Sequence, residues 1–295
     1  MTASHVLMIR PARFGYNAET AVNNAFQQAG GRNAQEEALK EFDAFVALLR
    51  VHGITVTVFD DTPEPHTPDS IFPNNWISFH TGGTVCLYPM FAENRRLERK
   101  AIDAVKNAFH IRRLLDFTHY ETQGLFLEGT GSMVFDRRRQ IAYACRSPRT
   151  SEKALQDFCR QMHFSPILFH ATDSRGQAIY HTNVMLCVAE DFAVACLESI
   201  TDTQEQSLLV NKLKETGKEI IPVTGSQMAH FAGNMLSLQN REGKRFLILS
   251  DTARRALTPA QAAVLGKYSE LLSPAIPTIE RNGGGSARCM MAEVF

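Results

Sequence analysis

The chain has 295 residues, of which 44% are hydrophobic and 21% are charged, a balance typical of globular proteins and not of disordered or low-complexity ones. Lysine plus arginine and aspartate plus glutamate each number 31, so the formal net charge is zero. Proteins that bind nucleic acids or anionic membranes usually carry a basic excess, and the sequence shows none. We therefore expect a small-molecule partner, with no nucleic acid and no membrane.

The N-terminal segment and the cysteines indicate a cytoplasmic protein. The apolar run at residues 6–9 is followed at once by Arg10 and Pro11, whereas a signal peptide needs about 7–15 apolar residues and a membrane span about 20. The six cysteines are scattered, with no Cys-x-x-Cys pair and no Cys/His cluster at zinc spacing. The sequence thus predicts free thiols, no metal and no organic cofactor.

Strand patterns alternate with helical ones along the whole chain. The predicted elements are, in order, strand HVLMIRPA, helix 35–51 and strand ITVTVFDD; hairpin WISFHTGGTVCLYPM, helix 95–108 and strand IRRLLDF; hairpin GSMVFDRRRQIAYACRS, helix 151–162 and strand SPILFHA; hairpin HTNVMLCVAEDFAVACLESI, helix 202–216 and strand EIIPVT; hairpin NMLSLQNREGKRFLILS, helix 259–271 and strand AIPTIER. The closing segment, GGGSARCMMAEVF, has strand character and is expected to pair with the first strand.

These elements amount to about five copies of a hairpin–helix–strand unit, the first of them split between the two ends of the sequence. A unit of roughly 50 residues is too small to bury its own apolar face, so the copies must pack around a common centre. We expect an α/β protein that forms one domain over residues 1–295, a five-bladed α/β propeller with pseudo five-fold symmetry. The alternative is a two-domain α/β protein with a mixed sheet.

Four segments are polar or rich in glycine where a core strand would not be: PDSIFPNNW at 68–76, LEGTGSMVFD at 127–136, HTNVML from 181, and GGGSARCM ending at 290. Each lies at an edge of the strand pattern, where the repeated units are expected to converge. Binding residues concentrate in loops that a rigid scaffold holds. We therefore expect the functional site where these four segments meet.

Three residues in these segments form a complete set for attack on a planar carbon. Cys289 follows three glycines and suits a nucleophile, His181 suits a proton carrier, and Glu128 suits an orienting carboxylate. Each alone also fits an ordinary loop thiol, a structural histidine or a solvated acid. The glycine run lacks the Gly-Lys-Ser/Thr of a phosphate loop, so a nucleotide site is not expected.

The four segments, in this order, resemble the guanidine-modifying superfamily with the pentein fold, which includes arginine deiminases, dimethylarginine dimethylaminohydrolases and amidinotransferases. MIRPARFGYNAETAVNN and GGGSARCM are most similar to its citrulline-utilisation hydrolases. The resemblance covers essentially the whole chain. It implies that Cys289 is the nucleophile, His181 the general acid/base and Glu128 the carboxylate that orients it, with Asp69 in the substrate pocket and Phe72 as its apolar wall.

The departures from the superfamily pattern favour a neutral substrate. Members that hydrolyse a charged guanidinium hold it with two carboxylates, and the matching positions here carry Asn75, with Asn74 beside it, and Asn183. A buried cation without counter-charges is costly, whereas an amide bonds a urea well. We therefore expect citrulline to be converted to ornithine, CO2 and ammonia through a covalent cysteine intermediate. Neighbouring acids could instead take over the carboxylate role.

In this mechanism a protonated His181 is expected to stabilise the resting thiolate and then to protonate the leaving nitrogen. An arginine should bind the substrate carboxylate, because its guanidinium forms a bidentate fork. The candidates are Arg13, Arg146 and Arg288, which lie near strand ends or motif loops. Asn234 and His230 are further candidates for the pocket wall.

Several alternatives stay open on the sequence. An arginine deiminase or a dimethylarginine dimethylaminohydrolase would share the three catalytic residues and differ in how it holds the guanidinium. An amidinotransferase would pass the group to an amine instead of water, and a non-catalytic pentein would only bind a ligand. The oligomeric state, with a homodimer among the options, also stays open.

Overall fold

The computed structural model describes residues 1–31 and 33–295, and within these residues fifteen strands form five three-stranded sheets. The strands are β1 (His5–Arg10), β2 (Thr55–Asp60), β3 (Ile77–His80), β4 (Thr84–Leu87), β5 (Arg113–Asp116), β6 (Val134–Asp136), β7 (Ile141–Cys145), β8 (Ser165–Phe169), β9 (Leu186–Val188), β10 (Phe192–Ala195), β11 (Glu219–Pro222), β12 (Leu236–Gln239), β13 (Arg245–Ile248), β14 (Glu270–Leu272) and β15 (Ala292–Val294).

All five sheets have the same construction. The central strand pairs antiparallel with an inner strand and parallel with an outer one, in the orders β15-β1-β2, β3-β4-β5, β6-β7-β8, β9-β10-β11 and β12-β13-β14. A parallel pair needs a crossover, which helices provide in each unit. The five-bladed α/β propeller predicted from the repeat is therefore confirmed, with five separate sheets instead of one mixed sheet.

The helices are α1 (Ala18–Ala21), α2 (Ala34–Val51), α3 (Glu93–Arg96), α4 (Ile102–Ala108), α5 (Gly129–Ser132), α6 (Glu152–Met162), α7 (Thr203–Glu215), α8 (Gly225–Met228), α9 (Asp251–Ala256), α10 (Pro259–Gly266) and α11 (Pro277–Gly283). Two of the crossover helices begin directly after N-capping residues that are visible in the sequence. Asp202 accepts hydrogen bonds from the first-turn amides of α7, and Thr258 forms a capping box with Gln261 ahead of Pro259 in α10. None of the helices in the described residues has the length and hydropathy needed to cross a membrane.

One part of the last unit differs from the prediction. The predicted helix 259–271 ends at Gly266 and is followed by β14, and the predicted strand AIPTIER forms α11 instead. Pro277 occupies the first turn of α11, where its missing N–H costs nothing, and the buried Ile276 and Ile279 have helical spacing. The short apolar pattern was ambiguous, and the interpretation as a strand was wrong.

The closing segment joins the first sheet, as predicted. In the antiparallel pair of β15 with β1, His5 is opposite Val294 and Leu7 is opposite Ala292. The inner strand of this blade therefore comes from the last residues of the sequence. This pairing places Cys289 directly ahead of an inner strand.

Hydrogen bonds join the segments that precede the five inner strands, and each segment bonds to the next one around the axis. Thr130 Oγ1 donates to the carbonyl of Asn74, Thr182 Oγ1 donates to the carbonyl of Ser132, and Asn234 Nδ2 donates to the carbonyl of Asn183. Asn234 Oδ1 in turn accepts from the amide of Arg288. The four polar segments singled out in the sequence all belong to this ring.

Candidate active site

Cys289, His181 and Glu128 come from three different blades and meet on the axis. Cys289 and His181 line one pocket, and Glu128 lies behind the imidazole, with 2.7 Å between its Oε2 and His181 Nε2. All three side chains are buried. The structure thus brings together a thiol, a ring nitrogen and a carboxylate in the order that the sequence predicted.

The glycine run before Cys289 is required by close packing. Gly284 adopts a left-handed conformation, with φ of 62°, and a Cβ there would lie 2.5 Å from Asn24 Nδ2. A Cβ on Gly283 or Gly285 would come within 2.9 Å of the Phe72 ring. Phe72 therefore holds the loop that carries the thiol and also lines the pocket.

Gly131 has a similar role beside the histidine. A Cβ at this position would lie 2.4 Å from Asn75 Nδ2 and 2.8 Å from His181 Nδ1. The glycine therefore allows the amide of Asn75 and the imidazole to approach the same point.

Arg149 keeps Glu128 ionised. Burial acts to raise the pKa of Glu128, but the charge of Arg149, with 3.5 Å between Nη1 and Oε2, and the bond to His181 outweigh it and lower that pKa well below its usual range. Burial lowers the pKa of His181 to about 4, although Glu128 acts in the opposite direction. Burial therefore favours a neutral resting imidazole, which argues against the expected resting pair of thiolate and protonated His181.

Two amides face the sulfur of Cys289. Asn234 Nδ2 lies 3.3 Å from Sγ and Asn183 Nδ2 lies 3.5 Å from it. Both asparagines were expected at the substrate. The structure places their amides against the sulfur of Cys289, while the Oδ1 atom of Asn183 is buried and has no partner among the described residues.

Asn75 lines the pocket, and its orientation is fixed by Arg95. Arg95 Nη1 donates to Asn75 Oδ1 at 2.7 Å, while the same guanidinium forms a bidentate ion pair with Glu98. Asn75 Nδ2 is consequently the free end of the amide, buried and without a partner in the described residues. Asn74 is buried, but it is not among the lining residues.

Asp69 lines the pocket as well. Its Oδ2 accepts hydrogen bonds from Asn17 Nδ2 at 2.8 Å and from Thr20 Oγ1 at 3.0 Å, and it lies 3.9 Å from Arg95 Nε. Burial raises the pKa of Asp69 despite the charge of Arg95. Its other oxygen, Oδ1, is buried and unpaired within the described residues.

The three arginines proposed from the sequence lie elsewhere, and that expectation was wrong. Arg13 is half exposed and pairs with Glu64, and Arg146 pairs with Glu152 and Glu205 at the surface. Arg288 is adjacent to Cys289, but its guanidinium bonds Glu293 and the carbonyl of Met291. His230, a further candidate for the wall, is exposed.

The arginines that do line the pocket are Arg95 and Arg149, which sequence reasoning missed. Arg95 occurs in a basic helical stretch, and such a pattern predicts a solvent-exposed helix face. Arg149 follows a strand end in the loop RSPRT, at the same edge as the four polar segments, and this position was the available signal.

The pocket is small in this conformation. Its volume of about 10 Å³ leaves room for about one water molecule. Thr20 and Asn24, from the segment between β1 and α2, contribute to its walls. In the described part of the chain, no three His, Cys, Asp or Glu side chains are grouped so that they could hold a metal ion.

The family model of eukaryotic N,N-dimethylarginine dimethylhydrolases matches residues 10–295. No curated protein sequence matches the chain.

Among solved structures, ArgZ, an arginine dihydrolase from the ornithine–ammonia cycle in cyanobacteria, has a TM-score of 0.78 at 17% identity and covers 98% of this chain. An AgrE variant bound to L-arginine has a TM-score of 0.77 at 16% identity and covers 99% of this chain. The match spans only 40% of the ArgZ chain and 40% of the AgrE chain.

A dimethylarginine dimethylaminohydrolase variant in adduct with S-methyl-L-thiocitrulline has a TM-score of 0.70 at 16% identity, with 99% of this chain and 100% of that chain covered. At this identity the solved structures show the shared fold, and the family model shows the family. The chain therefore belongs to the N,N-dimethylarginine dimethylhydrolase family.

Proposed function

We propose that this enzyme hydrolyses the ureido C–N bond of citrulline, giving ornithine, CO2 and ammonia, with Cys289 as nucleophile, His181 as proton carrier and Glu128 as the group that orients His181. We further propose that residues 1–295 form a single catalytic domain.

The observation that carries the choice of substrate is the free Nδ2 of Asn75. Because Arg95 occupies Asn75 Oδ1, the free end of this buried amide is a hydrogen-bond donor. A guanidinium presents only donors and cannot satisfy it, whereas a urea presents a carbonyl oxygen that can. A buried donor left unpaired costs roughly 1–3 kcal/mol, so the pocket should prefer the substrate that pairs it.

Arg149 and Asp69 suit the amino-acid end of the substrate. Arg149 Nε and Nη2 bond Asn23 Oδ1, and Nη2 also bonds the carbonyl of Thr20. These neutral partners are residues 20 and 23, which must move to admit an amino acid. Once released, the fork of Arg149 matches an α-carboxylate, and the free Oδ1 of Asp69 matches an α-ammonium group.

The reaction then needs two steps. Neutral His181 accepts the thiol proton as Cys289 Sγ attacks the ureido carbon, and it passes that proton to the leaving nitrogen as the C–N bond to ornithine breaks. Water, deprotonated by His181, next attacks the carbamoyl thioester and releases carbamate and the thiol. Carbamate decomposes to CO2 and ammonia. We assign to Asn75 Nδ2 the hydrogen bond to the oxygen that gains charge.

The test is product analysis after feeding citrulline and arginine separately. We expect ornithine from citrulline, and a preference for citrulline over arginine of about 100-fold, roughly 3 kcal/mol. Asn75→Asp should reduce citrulline turnover and improve arginine binding, while Asn240→Asp, a similar change far from the pocket, should do neither. Equal turnover of arginine and citrulline by the natural enzyme would refute the proposal.

The family model and the resemblance to ArgZ and AgrE support a second candidate, in which an arginine-like guanidino compound is the substrate. Asp69 is the residue that favours it, because it places a carboxylate in the pocket wall. Release of citrulline from arginine, or of dimethylamine from dimethylarginine, at rates above citrulline turnover would select this candidate.

A further inference from the structure

We propose that Asn234 holds the sulfur of Cys289 in place and stabilises its thiolate, with Asn183 as a second amide donor. The nucleophile is then activated by neutral N–H groups and not by an imidazolium. This inference rests on the proposed role of Cys289 as the nucleophile.

The orientation of the Asn234 amide is fixed by three contacts. Its Oδ1 accepts from the amide of Arg288 at 3.1 Å, so the other end must be the NH2 group. That group donates to the carbonyl of Asn183 at 3.1 Å and faces Cys289 Sγ at 3.3 Å. One side chain therefore bonds the residue before the nucleophile and the nucleophile itself, and it is almost fully buried.

Asn234 is also held rigidly by its own backbone. Its amide donates to the carbonyl of Phe231 at 2.8 Å, and Phe231 is in the left-handed region with φ of 62°. β12 begins two residues later. A donor preorganised on a rigid element loses little entropy when the sulfur becomes charged.

Other charged or titratable groups around the pocket do not replace these donors. Burial favours the neutral form of His181, Glu128 lies behind this ring, and Arg288 on the same turn as Cys289 faces Glu293. The remaining groups that face the pocket from packed elements are Asp69, Arg95, Arg149 and Tyr180. Arg95 and Arg149 are engaged by Glu98 and Glu128 respectively.

The energetic expectation follows from charge. A hydrogen bond to an ionised acceptor is roughly twice as strong as one to a neutral acceptor, so the two amides favour thiolate over thiol. Replacing the donor of Asn234 with a carboxylate oxygen removes one of these hydrogen bonds and places a like charge beside the thiolate. Alkylation of Cys289 at pH 7 should then slow by at least about tenfold.

The experiment measures the rate of iodoacetamide labelling of Cys289, resolved by peptide mass spectrometry, from pH 5 to pH 10 without substrate. The variants are Asn234→Asp and Asn234→Ala, and circular dichroism checks their folding. Asn240→Asp is the matched control, because Asn240 follows the other end of β12, is buried and bonds only backbone groups. We expect the labelling profile to shift to higher pH in both Asn234 variants, more in Asn234→Asp, and not in the control.

An unchanged profile in a folded Asn234 variant overturns the inference. If neither Asn234 variant folds, the same measurement on Asn183→Ala decides, since this change removes only the second donor. A separate result would show that the proposed function fails. The Cys289→Ala variant would then keep its citrulline turnover, regardless of the labelling profiles of the Asn234 variants.

Discussion

The two ends of the inner strands differ in how their buried charged and polar groups are arranged. Where these strands begin, Asp69 and Asn75 line the pocket, and Asp69 Oδ1 and Asn75 Nδ2 are buried without partners in the described residues. Towards their other ends, buried groups of opposite charge lie together: Arg288 Nη2 lies 2.9 Å from Glu293 Oε2, and Lys218 Nζ lies 2.8 Å from Asp136 Oδ2, although Arg137 Nη2 has no partner in the described residues. Paired buried ions can be explained by folding alone, whereas unpaired polar atoms around one small pocket indicate a ligand.

The neighbours Arg288 and Cys289 show how sharp this division is. The thiol of Cys289 faces the pocket with its unpaired groups, and the guanidinium of Arg288 faces the ion pairs at the other end. Adjacent positions in the sequence therefore contribute to different ends of the propeller. We therefore expect variants at the pocket end to change turnover or substrate binding, and variants at the ion-pair end to leave both nearly unchanged.

The largest effect is expected at the thiol. Cys289→Ala should reduce turnover by at least about 10⁴-fold, since the covalent step needs the sulfur, and the thermal midpoint should change little. Steady-state assays with a melting curve check both. Retention of more than a few per cent of activity would contradict the covalent mechanism.

Gly131→Ala should have the next largest effect. The added Cβ would press on Asn75 Nδ2 and the His181 ring, and a misplacement of about 1 Å can cost about 100-fold in kcat. Gly266→Ala is the control, because a Cβ there meets nothing within 4 Å. Equal kcat for the two variants would mean that the imidazole need not occupy its observed position.

A pair of arginine variants tests the two ends directly. Arg149→Lys should raise KM for citrulline about 30-fold, roughly 2 kcal/mol, because lysine cannot form the bidentate fork. An alkylurea without the α-carboxylate should show no such change. Arg288→Lys, at the other end, should leave KM within about threefold of the natural enzyme, so a KM increase there as large as that of Arg149→Lys would remove the distinction.

The smallest effect concerns stability and pH. Because burial lowers the pKa of His181 below its unfolded value of 6.5, its contribution to stability is present above pH 6.5 and is lost as the pH falls towards about 4. Between pH 7 and pH 5.5 we expect a loss of about 1 kcal/mol from this group.

Urea unfolding at the two pH values should show this loss. His181→Gln should reduce it, and so should His80→Gln, because burial and the charge of Arg137 hold the pKa of His80 well below its ordinary value. His230→Gln, at an exposed position, should leave the loss unchanged. An equal loss in all three variants would exclude the buried rings as its source.

Much of the fold could be predicted because its signals are local. The helix expected at 35–51 forms as Ala34–Val51, with Phe42, Phe45 and Leu49 buried along one face. The strand at 270–272 and α11 were misassigned because elements of three to seven residues carry too little periodicity to separate the two patterns.

The candidate site was predictable only in part. Cys289, His181 and Glu128 stand out because they interrupt strand patterns. The burial of Arg149 depends on Thr20 and Asn23, which are distant in the sequence, so its local pattern matches that of a surface arginine. The direction in which the Asn183 amide points likewise depends on Cys289, and the sequence alone could only place it near the site.

The pairing of β15 with β1 also bears on the order in which the molecule assembles. This contact joins residues 292–294 to residues 5–7, which are far apart in the sequence. Its entropic cost is lower once the intervening blades have brought the two segments close together. Cys289 lies three residues before β15, so we expect its sulfur to reach its position beside Asn234 and Asn183 late in folding.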